Sequence, residues 1–543
     1  MSKWSAYWSA PGGRRAAAIV RIAIAASVMW TLWRLGAGGW AAEAESAPRT
    51  LYRPVGLWML FGKTAPAPAL IDALRVVAWV ATGSMLIGLW SRASTAVSLV
   101  SALLVASFAV SFSPTWSHDH NVPFLAQIAF LGARGGDAYS VDAWLRRRRG
   151  LPPAVAAGGY QWSLRLCQLA VALMFLSACV FKLGAGGGTL RWALSDNLRH
   201  QLLSRFDLIG VPRTAAADWL LAAPWRWQTA ALLNLVSQAM PIGAVFAVRR
   251  PWLRAAFGAF FVVETVALGV VMDLWNLHWL PLVAVFVDWD RLLGSVPVDA
   301  PAQPPPPPRA ARRFIVAFIL YDVVVSFAYP RIDQALRTYP FSAFPMFARV
   351  LARRPYDRHQ SYEIPGGRIE VLGDPPVDAA TQQWIDRNYT YRTLWKLRDP
   401  REVETRLRAL WASIAERAPG RAGLRLHLAV FRAPAVPAPA RLDYIPIATI
   451  AELAPPAGSS LRTLLGVLGQ DARGRYAELR PVGIDATRAR LIYFADDQPE
   501  ARPLPAERVG NRFYFTAPGA AHVTIAAVVT ATDGHDETFL VGP

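Results

Sequence analysis

The sequence predicts a membrane all-α bundle of about nine transmembrane helices, followed by a soluble α+β domain ending in a small β-sandwich. Three observations lead there. Apolar residues make up 54% of the 543 residues and the mean hydropathy is +0.25, more apolar mass than one soluble core requires. Much of that mass lies in uninterrupted runs of bilayer-crossing length, roughly 17 to 25 residues. Past Pro330 these runs give way to short stretches rich in β-branched and aromatic residues between turn formers.

Runs near 16–35, 69–90, 94–112, 161–182, 227–248 and 253–272 have full spanning length; 313–329 is marginal, and 121–133 and 274–287 are shorter. Lys3, Arg14 and Arg15 precede the first run without a small-residue cleavage site after it, so it reads as a retained span. Counting every run as a crossing puts the two termini on opposite sides of the membrane.

The charges orient the bundle. Lys and Arg number 57 against 38 Asp and Glu, a formal net charge of +19, and they gather between the apolar runs, as topology signals do, which argues against nucleic acid as a partner. With the N-terminus cytoplasmic, the inner loops carry Arg92, Arg146 to Arg149, Arg249 with Arg250 and Arg254, and Arg309 with Arg312 and Arg313. Two outer loops, around His118 to His120 and Met272 to His278, hold no Lys or Arg; the long Lys182–Trp225 loop is the exception. The pattern fits a multi-pass protein of the bacterial inner-membrane type with its C-terminal domain extracytoplasmic.

Pro304 to Pro308 form a stiff polyproline spacer ahead of the last span. The chain accordingly divides into a transmembrane domain over 1–300, a proline-rich linker with the last span over 301–330, an α/β region over 331–460 and a β-rich domain over 461–543. YPFSAFPMFARV, from Tyr339, reads as an amphipathic interfacial segment. Helices are expected over 379–388 and 400–417, and strands over 424–431, 442–450, 490–496, 512–517 and 522–531. The two cysteines, Cys167 and Cys179, fall about 18 Å apart along one helix and cannot pair.

Ionisable groups converge on the outer side once the topology is fixed. His118, Asp119, His120 and Asn121 open one short run, Lys182 closes the 161–182 span, and Asp273, Asn276 and His278 open another short run, so that together they line one outward pocket. A lysine at a helix end ordinarily snorkels its ammonium to water. Partly desolvated, the same amine becomes a usable base, and the glycines after it, Gly184 among them, let backbone pass close to a ligand. His278, flanked by Trp275 and Trp279, suits an aromatic belt equally well. Glu264, in the middle of a span, requires a partner or a cavity. His118 and His120 with Asp119 make an incomplete ligand set, so no metal is expected.

Three segments, SHDHNVPFLAQIAF (117–130), GGDAYSVDAWLRRRR (135–149) and QWSLRLCQLAVALMFLSACVFKLGAGG (161–187), resemble in order and spacing the horizontally transferred transmembrane domain family, which includes vitamin K-dependent gamma-glutamyl carboxylase. The resemblance covers roughly residues 14 to 300. It implies nine spans, a cytoplasmic N-terminus and a luminal or periplasmic C-terminal domain. It also implies chemistry: Lys182 would be the base that deprotonates vitamin K hydroquinone or a related quinol, and His120, with His278, would orient or stabilise the oxygenated quinone. His118, Asn121 and Gly184 would border the cofactor, and a glutamate-containing protein or peptide would be carboxylated. The alternative is a non-catalytic membrane protein that binds a quinone or lipid, or anchors a partner.

Overall fold

The computed structural model describes residues 7–8, 13–37, 52, 54–112, 119–151, 160–208, 211–248, 250–294, 307–327, 338–342, 347, 362–378, 381–382, 385, 399–417, 419–433, 443–454, 460–495, 498–516, 518, 523–530 and 535–542. They form two compact units, Met1–Leu194 with Thr229–Arg349, and Ser195–Gln228 with Val350–Pro543.

The first unit is helical. Its main helices are α1 (Arg14–Ala37), α2 (Pro68–Ile87), α3 (Ser91–Val110), α4 (Asn121–Phe130), α5 (Val141–Arg148), α6 (Gln161–Ala185), α7 (Pro224–Ala239, its start counted with the second unit), α8 (Pro251–Met272) and α9 (Arg309–Phe327). Among the described residues six helices are long and apolar enough to cross a membrane, which leaves the expected count of nine unconfirmed. The two short runs fold as helices of ten residues, α4 and the 3₁₀ segment Leu277–Phe286. At 1.5 Å per residue α4 rises only about 15 Å, half a hydrocarbon core. The marginal run becomes α9, which begins with Arg309, Arg312 and Arg313 and is not among the six.

A buried arginine ties the loops at one end of this bundle. Arg21 of α1 is fully buried and donates to the carbonyls of Gly135 (2.6 Å), Tyr139 (2.6 Å) and Leu86 (3.3 Å). Asp142 opposite it accepts from the backbone amides of Trp90 and Ser91 and from the Ser91 hydroxyl, each at 2.8 Å. Gly88, at φ +69°, leaves the room this needs, since a Cβ there would lie 2.4 Å from the Arg21 guanidinium. The starts of α1 and α8 and the end of the α7 strand of chain meet at the same end: the Gly13 amide donates to Asp290, Tyr7 donates to the Val245 carbonyl, and Arg254 donates to the Phe286 carbonyl.

In the second unit all described strands join one sheet of eleven strands. They are β1 (Tyr362–Leu372), β2 (Gly423–Ala433), β3 (Asp443–Ala454), β4 (Ser460–Asp471), β5 (Gly474–Val482), β6 (Ala489–Ala495), β7 (Gln498–Pro503), β8 (Ala506–Val509), β9 (Arg512–Phe515), β10 (Val523–Thr530) and β11 (Asp536–Gly542). The long path runs β7-β6-β10-β11-β3-β4-β5-β9-β8, and β2 pairs β1 and β3. Every pairing is antiparallel except β11 with β3. A two-sheet sandwich was expected; the strands instead form one continuous ladder carrying two apolar cores.

The larger core is closed by α10 (Pro400–Arg417), at the bounds the sequence predicts. Val403, Leu407, Leu410 and Ile414 recur at three- and four-residue spacing, so one stripe of the helix is apolar, and it packs on Leu424, Leu426, Leu453 and Leu461 of the sheet. The core draws on strands from both sides of residue 460. The expected helix over 379–388 lies mostly outside the described residues.

Candidate functional site: two buried polar centres in the helical unit

Lys182 lies in the last turn of α6, yet its side chain is only 1% exposed. Helical side chains lean toward the N-terminus, so the amine is drawn back along α6 instead of snorkelling outward. There Nζ donates to Asn234 Oδ1 at 2.5 Å and to Gln238 Oε1 at 3.0 Å, and it lies 4.8 Å from the centre of the Trp192 ring. Asn234 and Gln238 are one turn apart on α7 and therefore share a face.

Their amide nitrogens complete the connection to Glu264 of α8. Asn234 Nδ2 donates to Glu264 Oε1 at 2.6 Å, Gln238 Nε2 to the same oxygen at 2.8 Å, and Ser237 Oγ to Oε2 at 2.5 Å. The carboxylate is 1% exposed. Lysine and glutamate thus face each other across two neutral amides, each of which accepts from the cation and donates to the anion. Isolated charges in an apolar interior cost several kcal/mol, and this arrangement spreads both over three helices with their hydrogen bonds filled. Glu264 finds here the partners that the sequence requires of it.

The second centre joins the end of α1 to the starts of α4 and the Leu277–Phe286 segment. Arg34 Nη1 lies 2.8 Å from His278 Nδ1, 3.3 Å from Asn276 Oδ1 and 3.3 Å from Asp119 Oδ2. His278 Nε2 is 2.8 Å from the backbone carbonyl of Asp119, which also accepts from Trp279 Nε1 at 2.7 Å. A guanidinium only donates and a carbonyl only accepts, so these contacts select the neutral imidazole with its proton on Nε2. Ser27 of α1 donates to the His278 carbonyl, which fixes the backbone as well.

The His120 ring stands 5.7 Å from that of His278, and its Nδ1 is 3.7 Å from Asp119. Burial pushes the His120 imidazole below its ordinary range; the Asp119 carboxylate opposes that shift and Arg34 adds to it. Asp119, His120 and His278 offer ligand atoms within 4.8 Å of one another, the spacing of a metal cluster. Both nitrogens of His278 are already committed, so an ion would have to displace Arg34 or the Asp119 carbonyl.

The sequence-predicted residues therefore separate into two groups. His120 and His278 come together, with Arg34 at their centre, whereas Lys182 has its own partners on α7 and α8. Phe175, two turns before Lys182 on α6, packs on Phe261 of α8 at 5.3 Å and on Trp279 at 5.8 Å. Asn121 spends its amide nitrogen on the Pro340 carbonyl (2.6 Å) and Ser342 Oγ (3.0 Å), pinning the turn at 338–342. A Cβ at Gly184 would meet nothing within 4 Å; the glycine requirement falls instead on the turn after α6, where Gly187 and Gly188 have φ of +68° and +77°. His118 lies outside the described residues.

Sequence reasoning missed Arg34, Asn234, Ser237, Gln238 and Trp192. Two amides four residues apart within an apolar run were a legible signal, because one turn of spacing puts both on one face. Arg34 carried none, since an arginine in the last turn of a span ordinarily reads as an interfacial anchor.

Compared with family models, with curated proteins and with solved structures, the chain matches none.

Proposed function

We propose that the chain is a multi-pass membrane protein of about nine spans, N-terminus cytoplasmic and C-terminal domain extracytoplasmic, in which Lys182 is a buried base that deprotonates a quinol of the vitamin K type, dioxygen oxidises the quinol anion toward the epoxide, and the strong base so formed removes a glutamyl proton to let carbon dioxide add. The observation that carries this reading is the buried amine whose direct hydrogen-bond acceptors are neutral. A carboxylate in contact would pin the proton on Nζ. Here the charge of Glu264 is held one amide away and dispersed over Asn234, Ser237 and Gln238, so Nζ is left freer to exchange a proton with an incoming hydroxyl. The Trp192 ring beside the amine offers the kind of face on which a quinol ring stacks. A bound quinol would supply the oxidisable ring; the chain's residues would hold it, keep water away and accept its proton at Nζ.

A second reading draws on a different feature of the same centre. The three donor directions of an ammonium are matched by Asn234, Gln238 and the Trp192 face, as in a polar clasp whose purpose is to join α6, α7 and α8. The protein would then bind a quinone or lipid, or anchor a partner, without chemistry.

The two separate in aerated nanodiscs containing vitamin K hydroquinone, dioxygen, carbon dioxide and a glutamyl peptide. The catalytic reading expects quinone epoxide and carboxylated peptide from the wild type, and a loss of at least about a hundredfold in Lys182→Ala. Equal turnover in both proteins, or none in the wild type, overturns it.

A further inference from the structure

The opposite end of α6 carries an arginine that no described residue satisfies. Arg165 sits one turn inside the helix, is 3% exposed, and has no hydrogen-bond acceptor at Nε or Nη1. One turn on, on the same face, Gln168 is 4% exposed and its Nε2 also lacks an acceptor. Buried donors are almost always paired, and a cation left so costs more than a neutral group. Two adjacent ones imply an acceptor that no described residue provides.

The surroundings specify its chemistry. The Tyr7 ring covers one face of the Arg165 guanidinium at 4.1 Å, so what remains for a ligand is the in-plane N–H fork. Tyr7 itself is oriented by its bond to the Val245 carbonyl. Arg254 lies within electrostatic reach of both Arg165 and Tyr7, and its own guanidinium is taken by Asp288 at 3.4 Å and by the Phe286 carbonyl at 3.2 Å. Of the nearby carboxylates, Asp288 pairs with Arg254 and Asp290 accepts from the Gly13 amide that opens α1 through Oδ2. Among the described residues no carboxylate pairs with Arg165, and its planar donor fork fits a tetrahedral oxyanion bidentately. Four residues into a candidate span is about 6 Å from its end, the depth of the phosphate layer of a bilayer.

We infer that Arg165 and Gln168, beneath Tyr7, form a binding site for a phosphate oxyanion at the arginine-bearing end of the helical unit. Two sources share that chemistry, the headgroup of an anionic phospholipid and free phosphate. The site is separate from the Lys182 and His278 centres and does not depend on their function.

Full-length protein released from nanodiscs of mixed phosphatidylglycerol and phosphatidylcholine is examined by native mass spectrometry, and the same protein in detergent is titrated with inorganic phosphate while its melting temperature is followed. A lipid site retains phosphatidylglycerol in preference to phosphatidylcholine, and Arg165→Gln weakens the retention about tenfold or more, the loss expected for one charge-assisted fork. A free-phosphate site shows a saturable rise in melting temperature that Arg165→Gln abolishes. Gln168→Leu, which keeps the guanidinium, weakens whichever signal is seen by a smaller factor and stands in if the arginine variant does not fold. A wild type with neither lipid preference nor a phosphate-induced shift overturns the inference, as does a signal that both variants leave intact.

Discussion

Opposite charges are brought together in both units, and the two solutions have little in common. In the helical unit, Lys182 and Glu264 are each 1% exposed and never touch; three polar side chains of α7 stand between or around them. On the sheet, Glu370, Arg425, Glu452 and Arg462 lie directly opposite one another on β1, β2, β3 and β4, with signs alternating across the strands. Their ion-pair distances are 3.8, 3.0 and 3.8 Å, and Glu537 of β11 closes the row on Arg462 at 2.8 Å. This row borders an open polar cavity of about 460 Å³. Water solvates the ladder, so direct pairing suffices and is worth little; without water the bundle must supply every hydrogen bond itself, so removing one member leaves the others exposed to a low dielectric.

That contrast is broken or sharpened by substitution. The largest effect is expected at Glu264→Ala, which strands Lys182 and three donors. Unfolding in nanodiscs should show a loss of about 3 to 5 kcal/mol, the range for removing one partner of a buried pair, with part of it recovered when Lys182→Met is added. Wild-type stability in Glu264→Ala would mean that water reaches the centre and that the two units do not differ in kind.

An intermediate effect belongs to His427, half-way between the two environments. It lies beside the ladder on β2, but is 7% exposed. Burial, reinforced by Arg425 and then Arg368, holds its imidazole at about 4 against the ordinary 6.5. The unfolded chain therefore takes up a proton that the native state refuses. His427 costs no stability above about pH 6.5; as the pH falls from there toward 4 the second unit should lose on the order of 2 to 3 kcal/mol. Denaturant unfolding of the β signal at pH 7 and pH 4.5 measures this, and in His427→Gln that component should vanish. An unchanged slope in the variant would assign the pH dependence to another group.

The smallest effect is expected on the ladder itself. Arg462→Ala should cost less than about 1 kcal/mol and less still in high salt, because its partners remain hydrated. A loss comparable to that at Glu264 would show that the cavity beside the ladder is drier than its exposure implies.

Much of the bundle was legible in the sequence because its signals are local. A run of some twenty apolar residues has few fates, and the periodicity of α10 marks both its bounds and its buried stripe. Of the sheet, the strands anticipated were those with dense β-branched or aromatic residues, such as β6 and β10. Strands like β5 (GRYAELRPV) were missed because they alternate with arginine and glutamate on their exposed face and read as loop. The number of sheets was not legible either. Strand pairing is a long-range choice, and the parallel contact of β11 with β3, joining chain around Phe539 to Thr449, leaves no mark on the local sequence of either strand.

The candidate centres divide along the same line. Lys182, His120 and His278 stood out because an ionisable group beside an apolar run is costly wherever it points. Where each one points is a tertiary matter. The direction of the Lys182 side chain into α7, the meeting of Arg34 with His278 from residues 244 apart in the chain, and the lack of an acceptor for Arg165 Nε and Nη1 among the described residues all follow from how the helices pack. The sequence by itself determined which segments seek an apolar environment and which residues could not be left there alone, since both are properties of single side chains and their near neighbours. The packing of α6, α7 and α8 decided which partner each received, because a hydrogen bond depends on distances that only the folded chain sets.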